Sequence, residues 1–406
     1  MPMTVPFHRA SGAILAAALA AMLFLCARSA AADDGRLSEP DDLRDPVVLS
    51  FSTVGDSRQD PVAPDPSTLQ PPFGSGAKIA PQDQIWLENS RALTRILRSV
   101  EAQGSNFLFF NGDMIMGYGN AVAPADTSLS GILGSDLVAF YRQYAFWRGI
   151  VAQTLEAGTY VVPVPGNHET QFKAGGKKAT VANENAWRAN MGDLILDDYR
   201  FRSLFGSPPA QADLADHGTL DGLVSSQAQL SYSFEWNGVH FAVINTDPFG
   251  RDAHAPTRWL DQDLAAARAR GVRHLFVFGH KPAFTYYYGA GASAPLPTTP
   301  SGLDNDPAAR DDFWAVIQKY AATYFCGHEH IFNFSQHGSA WQILVGSGGS
   351  PFEAPPAATT VNPATDRDYA WATVKVYRSG RVRIDGYGFD AGFGPTRRLA
   401  SIELHH

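Results

Sequence analysis

The chain has 406 residues, of which 45% are hydrophobic and 18% charged, a balance that excludes an intrinsically disordered protein. Its length suits one large domain or two modest ones. The formal net charge is −8 and no lysine- or arginine-rich run is present. Nucleic acid is therefore disfavoured as a main partner, because binding a polyanion needs a basic surface.

The first 32 residues have the layout of a secretory signal peptide. A charged start precedes an apolar run over residues 13–27, and small residues at 29–32 come before an acidic pair. The run is short for a transmembrane span, so cleavage is favoured over an uncleaved anchor, and no transmembrane segment is expected after it. A lipid anchor at Cys26 is disfavoured by the bulky residues before it. We therefore expect a secreted or periplasmic protein.

Removal of residues 1–32 would leave a polar segment at residues 33–46 and one domain with loop insertions over residues 47–406. Cys326 would then be the last remaining cysteine, so no intrachain disulfide is expected. Its apolar neighbours predict a buried structural thiol. Stability must then come from burial of the core.

Apolar strands alternate with amphipathic helices along the rest of the chain. A Pro- and Gly-rich loop is predicted at residues 60–81, and Thr257 is predicted to cap a helix. Strands are predicted at 47–54, 106–110, 160–164, 232–245 (a hairpin turning at Asn237-Gly238), 272–278, 323–326, 341–345, 370–377 and 381–387, and helices at 85–102, 137–155, 257–270 and 311–320. The order predicts a mixed α/β sheet architecture with helices outside.

Five polar clusters share one feature, which is that each directly follows a predicted strand. They are Gly55-Asp56-Ser57-Arg58, Gly112-Asp113, Gly166-Asn167-His168-Glu169, Gly279-His280-Lys281-Pro282 and Gly327-His328-Glu329-His330. None of them alone establishes a site, because such residues are common in turns, although the two histidines of the last cluster could flank a metal. The carboxyl ends of strands line one edge of an open α/β sheet, where ligands bind. Together the clusters predict a site for Mn, Fe, Zn or a similar ion, since their oxygen and nitrogen donors suit such metals.

The ordered set of motifs resembles the calcineurin-like metallophosphoesterases over residues 47–349. The resemblance implies a four-layer α-β-β-α sandwich of two mixed β-sheets and a centre of two divalent or trivalent metal ions. It also implies hydrolysis of phosphate esters by a metal-activated hydroxide. By matching positions, Asp113 would bridge both ions, Asp56 and His330 would bind the first ion, and Asn167, His280 and His328 the second.

The resemblance also implies residues that act on the substrate. His168 would not be a ligand; it would face the substrate and protonate the leaving oxygen or stabilise the phosphoryl charge. Arg58, Asn167 and His168 are the predicted substrate-binding residues. Glu169 and Lys281 are expected behind the ligands. The tyrosines at 286–288 either line the mouth of the pocket or pack their loop down, and the sequence leaves both interpretations open.

The first motif departs from the family pattern at Arg58. Many members carry Asp-x-His, whereas this chain has Asp56-Ser57-Arg58. Purple acid phosphatases supply a tyrosine three residues after the bridging aspartate, but Met116 occupies that position, so a tyrosinate–iron centre is disfavoured. The first metal site would be one ligand short. Arg58 is permanently cationic; it either clamps two phosphate oxygens or pairs with an acid in a structural role.

These observations predict a secreted metal-dependent phosphoesterase acting on a small phosphorylated substrate, with monoesters favoured slightly over diesters. The alternative is a non-catalytic metal- or phosphate-binding protein on the same fold. The Arg58 substitution favours this alternative. The presence of His168 argues against it, because the evident use of that side chain is at the leaving group.

Overall fold

The computed structural model describes residues 44–60, 86–286, 300–353 and 366–404. The predicted signal peptide, most of the polar segment after it and most of the loop at 60–81 lie outside these residues. Those three predictions therefore remain predictions. Among the helices of the described segments, none combines the length and the apolar composition needed to cross a membrane.

The described strands and helices alternate over most of the chain. In chain order the strands are β1 (Val47–Val54), β2 (Phe107–Asn111), β3 (Tyr160–Val164), β4 (Gln171–Phe172), β5 (Lys178–Ala179), β6 (Ala210–Asp213), β7 (Tyr232–Trp236), β8 (Val239–Val243), β9 (His274–Phe278), β10 (Thr323–Cys326), β11 (Phe332–His337), β12 (Ala340–Val345), β13 (Asp368–Tyr377), β14 (Val382–Asp390) and β15 (Arg397–Leu404). The helices are α1 (Trp86–Gln103), α2 (Leu129–Leu133), α3 (Asp136–Glu156), α4 (Asn167–Thr170), α5 (Val181–Met191), α6 (Asp198–Phe205), α7 (Thr257–Ala269) and α8 (Pro307–Lys319). All predicted elements are present, with ends displaced by a few residues.

Two mixed sheets form the centre of the fold. The first has six strands in the order β15-β14-β13-β1-β2-β3, and the second has seven in the order β11-β12-β10-β9-β8-β7-β6. Strands β1, β2 and β3 run parallel in the first sheet, and β8, β9, β10 and β12 run parallel in the second. The other pairings in both sheets are antiparallel.

The alternation of side chains along β9 explains how the sheets pack. Phe276 and Phe278 face the first sheet, where the rings of Phe278 and Phe109 stack with centroids 3.7 Å apart. Leu275 and Val277 belong instead to the core beneath α7 and α8. Burial of each such side chain contributes about 1.5–3 kcal/mol.

Helices also cover the outer face of the first sheet. The ring of Phe110 in β2 lies 5.2 Å from that of Trp147 in α3, in an edge-to-face arrangement. Together with α7 and α8 on the second sheet, this arrangement gives the order helix, sheet, sheet, helix. The predicted four-layer sandwich of two mixed sheets is confirmed.

The start of α7 corrects one prediction. Thr257 is not the N-cap but the first helical residue, and the cap, Pro256, makes no side-chain hydrogen bond. Asp221, from a distant segment, instead accepts hydrogen bonds from the backbone N–H groups of Arg258 and Trp259, at 2.8 and 3.2 Å. Its carboxylate satisfies two N–H groups that have no partner within the helix and complements the helix dipole.

The carboxyl ends of the parallel strands of both sheets meet at one edge. The N–H of Gly55, after β1, donates to the carbonyl of Val345 in β12 at 2.9 Å, and Gly348 N–H donates back to the Gly55 carbonyl at 2.9 Å. Gly327 N–H, after β10, donates to the His280 carbonyl after β9 at 2.9 Å. The five polar clusters therefore leave the two sheets at a common edge.

Candidate metal centre

The side chains predicted as ligands lie together at this edge in two groups. We define the first group as Asp56, Asp113 and His330, and the second group as Asp113, Asn167, His280 and His328. In each group, the nitrogen of every histidine and the oxygen of every aspartate lie within 4.8 Å of one another. Donors around a single ion are spaced in this way, since direct bonds are about 2.0–2.2 Å long. Asp113 belongs to both groups.

A sharp turn after the strand directs several of these side chains over the sheet edge. Asp56, Asp113 and His328 have φ values of 63°, 52° and 73°, in the left-handed region where Asp and His are more tolerated than most residues. Gly112 precedes one of them at φ 81°, and a Cβ there would lie 2.5 Å from His280 Nδ1. Only glycine lets the turn approach the imidazole this closely.

The second group is tightly assembled. Asn167 Oδ1 lies 2.8 Å from both His280 Nε2 and His328 Nδ1, and His280 Nε2 lies 3.2 Å from Asp113 Oδ1. Behind the group, His280 Nδ1 lies 2.8 Å from the backbone carbonyl of Asn111, which fixes the orientation of the ring. A carbonyl partner behind the imidazole is typical of a metal-binding histidine. Four donor atoms thus converge on one point.

The first group is more open. His330 Nδ1 donates to the Pro351 carbonyl at 2.6 Å, so Nε2 faces Asp56 Oδ1 at 3.7 Å. Asp56 Oδ1, Asp113 Oδ2 and His330 Nε2 are all buried without a hydrogen-bond partner. Buried polar atoms are seldom left without one, because the cost is about 1–3 kcal/mol each. Three such atoms, all with lone pairs to offer, fit a cation.

Arg58 lies beside the first group. Its backbone N–H donates to the Asp113 carbonyl at 2.9 Å, and its Nε lies 3.8 Å from Asp113 Oδ2. The side chain is 23% exposed, whereas that of Asp113 is fully buried. Arg58 therefore adds a permanent positive charge between the first group and solvent.

His168 lies next to both groups and belongs to neither. Its backbone N–H donates to Asp113 Oδ1 at 3.0 Å, and its ring Nδ1 contacts the Met116 carbonyl. The other ring nitrogen, Nε2, is 3.5 Å from Asp113 Oδ2 and has no hydrogen-bond partner. The leaving-group role assigned to His168 remains a prediction, and this geometry leaves Nε2 available for it.

Burial and neighbouring charges set the protonation states of the ligands. Burial raises the pKa of Asp56 well above its usual range. Burial also raises the pKa of Asp113, but the neighbouring His168 and His280 lower it by more. The pKa of Asp113 is therefore well below its usual range. Burial lowers the pKa of His280, but the Asp113 carboxylate raises it by more, and the resulting pKa is about 9. In the metal-free protein His280 holds a proton, so metal binding at the second group is coupled to its release.

The imidazoles of His328, His330 and His168 are neutral. Burial lowers the pKa values of His328 and His330 well below the usual range and that of His168 to about 3. A neutral imidazole is the form that binds a metal. The first group therefore offers its histidine nitrogen without a competing proton.

Glu169 and Lys281 were expected behind the ligands, and the structure shows what each contacts. Glu169 Oε2 accepts the backbone N–H groups of Gly166 and Asp113, at 2.8 and 2.9 Å, and its Oε1 accepts those of the two residues after Asp113. Lys281 Nζ pairs with Asp247 Oδ1 at 2.6 Å. Glu169 thus joins the backbones of the second and third motifs, and these hydrogen bonds go to backbone N–H groups and not to an imidazole.

Tyr286, at the start of the predicted tyrosine cluster, packs against the core beneath α7 and α8. Its backbone N–H donates to Glu329 Oε2 at 2.8 Å. This favours the packing interpretation for Tyr286. The other two tyrosines lie outside the described residues.

Sequence analysis missed Tyr118. Its hydroxyl accepts a hydrogen bond from Asn167 Nδ2, and its ring centroid lies 3.8 Å from that of His168. The available signal was its position between Gly117 and Gly119, just after the second motif, which is typical of a tight loop close to a site.

Comparisons with known proteins find one matching family and several solved structures with a similar fold. The model of the family described as calcineurin-like phosphoesterase matches residues 86–332, more than half of the chain. Similar solved structures include a purple acid phosphatase from yellow lupin (Lupinus luteus) seeds, with 13% identity, a TM-score of 0.49, and coverage of 87% of this chain and 53% of the lupin chain. This chain thus spans about half the length of the lupin phosphatase. A comparison with curated proteins gives no significant match.

Two further structures are similar over nearly their whole length. One is a dimetal phosphatase from Danio rerio, with 12% identity, a TM-score of 0.42, and coverage of 88% of this chain and 98% of that chain. The other is GAP50, the anchor in the inner membrane complex of Plasmodium, with 12% identity, a TM-score of 0.41, and coverage of 86% of this chain and 88% of that chain.

Proposed function

Because the chain belongs to the calcineurin-like phosphoesterase family, we propose that it is a metal-dependent hydrolase of phosphate esters. The observation that carries the proposal is a set of four buried side-chain atoms without hydrogen-bond partners at one sheet edge. They are Asp56 Oδ1, Asp113 Oδ2, His168 Nε2 and His330 Nε2. Such a set is costly in a purely structural role and is what a site for cations and a phosphate group requires.

The two groups would hold two metal ions. The first ion would be bound by Asp56, Asp113 and His330, and the second by Asp113 with the asparagine and the two other histidines of the second group. Bound metal ions would supply positive charge to the phosphate oxygens and lower the pKa of water. The shared carboxylate of Asp113 would reduce the repulsion between two cations.

Two further residues of the chain act on the ester. Arg58 presents its guanidinium at the open side of the first group, where it binds phosphate oxygens. His168 is oriented through its Nδ1 contact with the Met116 carbonyl, which leaves Nε2 as the free ring nitrogen. Nε2 is unprotonated in the free protein, so it takes up a proton when the negatively charged phosphate group binds and then delivers that proton to the leaving oxygen.

We further propose that the protein is secreted or periplasmic and prefers small phosphate monoesters to diesters. The secretion-like first 32 residues and the acidic net charge of −8 support this proposal. Both features suit a phosphatase that releases phosphate from soluble compounds outside the cytoplasm.

A second candidate is a non-catalytic phosphate- or metal-binding protein. The observation that favours it is the distance of 3.8 Å between Arg58 Nε and Asp113 Oδ2. At that distance the guanidinium partly neutralises the shared carboxylate and weakens the attraction of the first group for a cation.

Hydrolysis by metal-loaded protein distinguishes the two candidates. The chain is stripped with a chelator, reloaded with Mn²⁺ or Zn²⁺, and assayed with p-nitrophenyl phosphate and its bis ester. We expect metal-dependent turnover that is faster with the monoester. Equal activity in stripped and reloaded protein contradicts the proposal, and bound metal without turnover of either ester supports the binding protein.

His168→Ala tests the assignment of the acid. Turnover should fall by about 10²–10⁴-fold, the range for losing general acid–base help. Metal content, measured by elemental analysis, should stay close to that of the parent. Loss of metal would instead make His168 a ligand.

A further inference from the structure

Tyr118 joins the two sides of the candidate centre. Its hydroxyl accepts a hydrogen bond from Asn167 Nδ2, while its ring lies against the His168 imidazole at 3.8 Å between centroids. The residue is half-buried. It thus contacts one residue of the second group and the residue proposed to act as the acid.

The backbone around Tyr118 is fixed by contacts with His168. Tyr118 N–H donates to the His168 carbonyl at 3.0 Å, and Tyr118 has a φ of 63°, which is unusual for a bulky residue. At the preceding Gly117, with φ 50°, a Cβ would lie 1.8 Å from the same carbonyl oxygen. Such conformations persist where the surroundings impose them, and they cluster at functional sites.

An asparagine ligand needs a partner behind its amide. Only the amide oxygen can bind a cation, and Asn167 Oδ1 already lies 2.8 Å from the nitrogen atoms of His280 and His328. The NH₂ group then points away from the group and needs an acceptor. The hydroxyl of Tyr118 is that acceptor. Asn111 provides the same support to His280 through its carbonyl, 2.8 Å from Nδ1.

We propose that Tyr118 is a positioning residue for the second metal ion, an inference that rests on the proposed two-metal function. Its hydroxyl orients the Asn167 amide and, by accepting the N–H, increases the negative charge on Oδ1. Its ring holds the imidazole of His168 in place. The two actions are separable, because phenylalanine keeps the ring and removes the hydroxyl.

Calorimetric titration of metal-stripped protein with Zn²⁺ tests the hydroxyl. Tyr118→Phe should weaken one of the two binding events by about 10–100-fold, the usual effect of losing a partner behind a ligand, and leave the other unchanged. Tyr199→Phe is the matched control, since Tyr199 is 81% exposed on α6. It should bind Zn²⁺ like the parent. Equal affinities in Tyr118→Phe and the parent would overturn the inference.

A double-mutant cycle isolates the contact with the amide. Alanine at position 167 has no amide for the hydroxyl to orient, so in the Asn167→Ala background Tyr118→Phe should change Zn²⁺ affinity by less than about threefold. The same large loss in both backgrounds would mean that the hydroxyl acts elsewhere and would overturn the inference. Melting temperatures of the stripped variants, expected to stay near that of the parent, show that the variants are folded.

The cycle also separates this inference from the proposed hydrolase function. Energetic coupling between positions 118 and 167 without turnover of any phosphate ester removes the hydrolase function and leaves the role of Tyr118 standing. Metal-dependent turnover with unchanged Zn²⁺ affinity in Tyr118→Phe supports the hydrolase function and removes the role of Tyr118.

Discussion

The two groups of the candidate centre share Asp113 but differ in how their donors are held. In the second group, the amide oxygen of Asn167 lies 2.8 Å from ring nitrogens of both His280 and His328, so these donors already contact one another. In the first group, Asp56 Oδ1 and His330 Nε2 are 3.7 Å apart, and both lack a hydrogen-bond partner. The second group is preorganised, whereas the first is completed only by what it binds.

The two groups also differ in the charged and neutral side chains that surround the Asp113 carboxylate. The first group has fewer protein donors and has the guanidinium of Arg58 within 3.8 Å of its shared carboxylate. The second group has two imidazoles and an amide around the same carboxylate. A phosphate bound across both groups would therefore meet the fixed positive charge of Arg58 only on the side of the first group.

Asp113→Asn should have the largest effect, because it removes the charge that both groups share. Metal affinity at both groups should fall, and turnover should fall by more than about 100-fold, beyond the usual effect of mutating a partner behind a ligand. Elemental analysis after dialysis and initial rates measure the two effects. Asp198→Asn, at an exposed position on α6, should leave both unchanged.

His328→Ala sharpens the contrast, since that side chain belongs to the second group alone. It should weaken one metal-binding event and spare the other. If Asp113→Asn also weakened only one event, Asp113 would not be shared between the groups.

Arg58 tests whether the first group depends on fixed charge. Arg58→Ala should retain metal but raise KM and the inhibition constant of inorganic phosphate by roughly ten- to a hundredfold, since a hydrogen bond to a charged group contributes about 1.5–3 kcal/mol. Arg58→His should instead bind the first ion more tightly, because it adds an imidazole. Steady-state kinetics with phosphate inhibition, and metal titration, measure the two effects.

Arg98→Ala, which removes an exposed arginine from α1, is the matched control for loss of a charge. It should leave KM and phosphate inhibition as in the parent. Unchanged phosphate affinity in Arg58→Ala would show that Arg58 has a structural role only.

Glu169→Gln should have the smallest effect on the reaction and a clear effect on stability. One carboxylate accepts four backbone N–H groups here, and an amide nitrogen cannot accept any of them. The free energy of unfolding should fall by about 1–3 kcal/mol, the cost of buried donors left unsatisfied. Denaturant unfolding of the metal-stripped protein measures it. A loss no larger than that of the exposed Glu156→Gln would mean that water replaces the missing acceptor.

The candidate site was predictable to the extent that its residues follow strands. Asp56, Asp113 and His280 each come directly after an apolar run and a glycine, so local sequence indicates both the strand and the turn. Tyr118 could not be found in this way. The glycines on either side of it indicate a tight loop, but its role depends on a contact with Asn167 on another segment, which the sequence of the loop does not encode.

The same limit applies to the fold. Helix α5 was missed because its sequence is mostly polar and small, so no helical period of apolar residues stands out. Strand β15 was missed because most of its residues are exposed or half-buried, which weakens the alternation. The N-terminus of α7 is completed by Asp221, more than thirty residues upstream, which the sequence around Thr257 cannot reveal.

The left-handed turns at Asp56, Asp113 and His328 imply that thermostability and the proposed metal site make opposite demands on these positions. Each non-glycine residue in that conformation carries a local cost, which the rest of the fold must offset. Selection for heat resistance alone would favour glycine or asparagine at such positions. The acidic and imidazole side chains would be lost first, and with them the donors that the proposed metal centre needs.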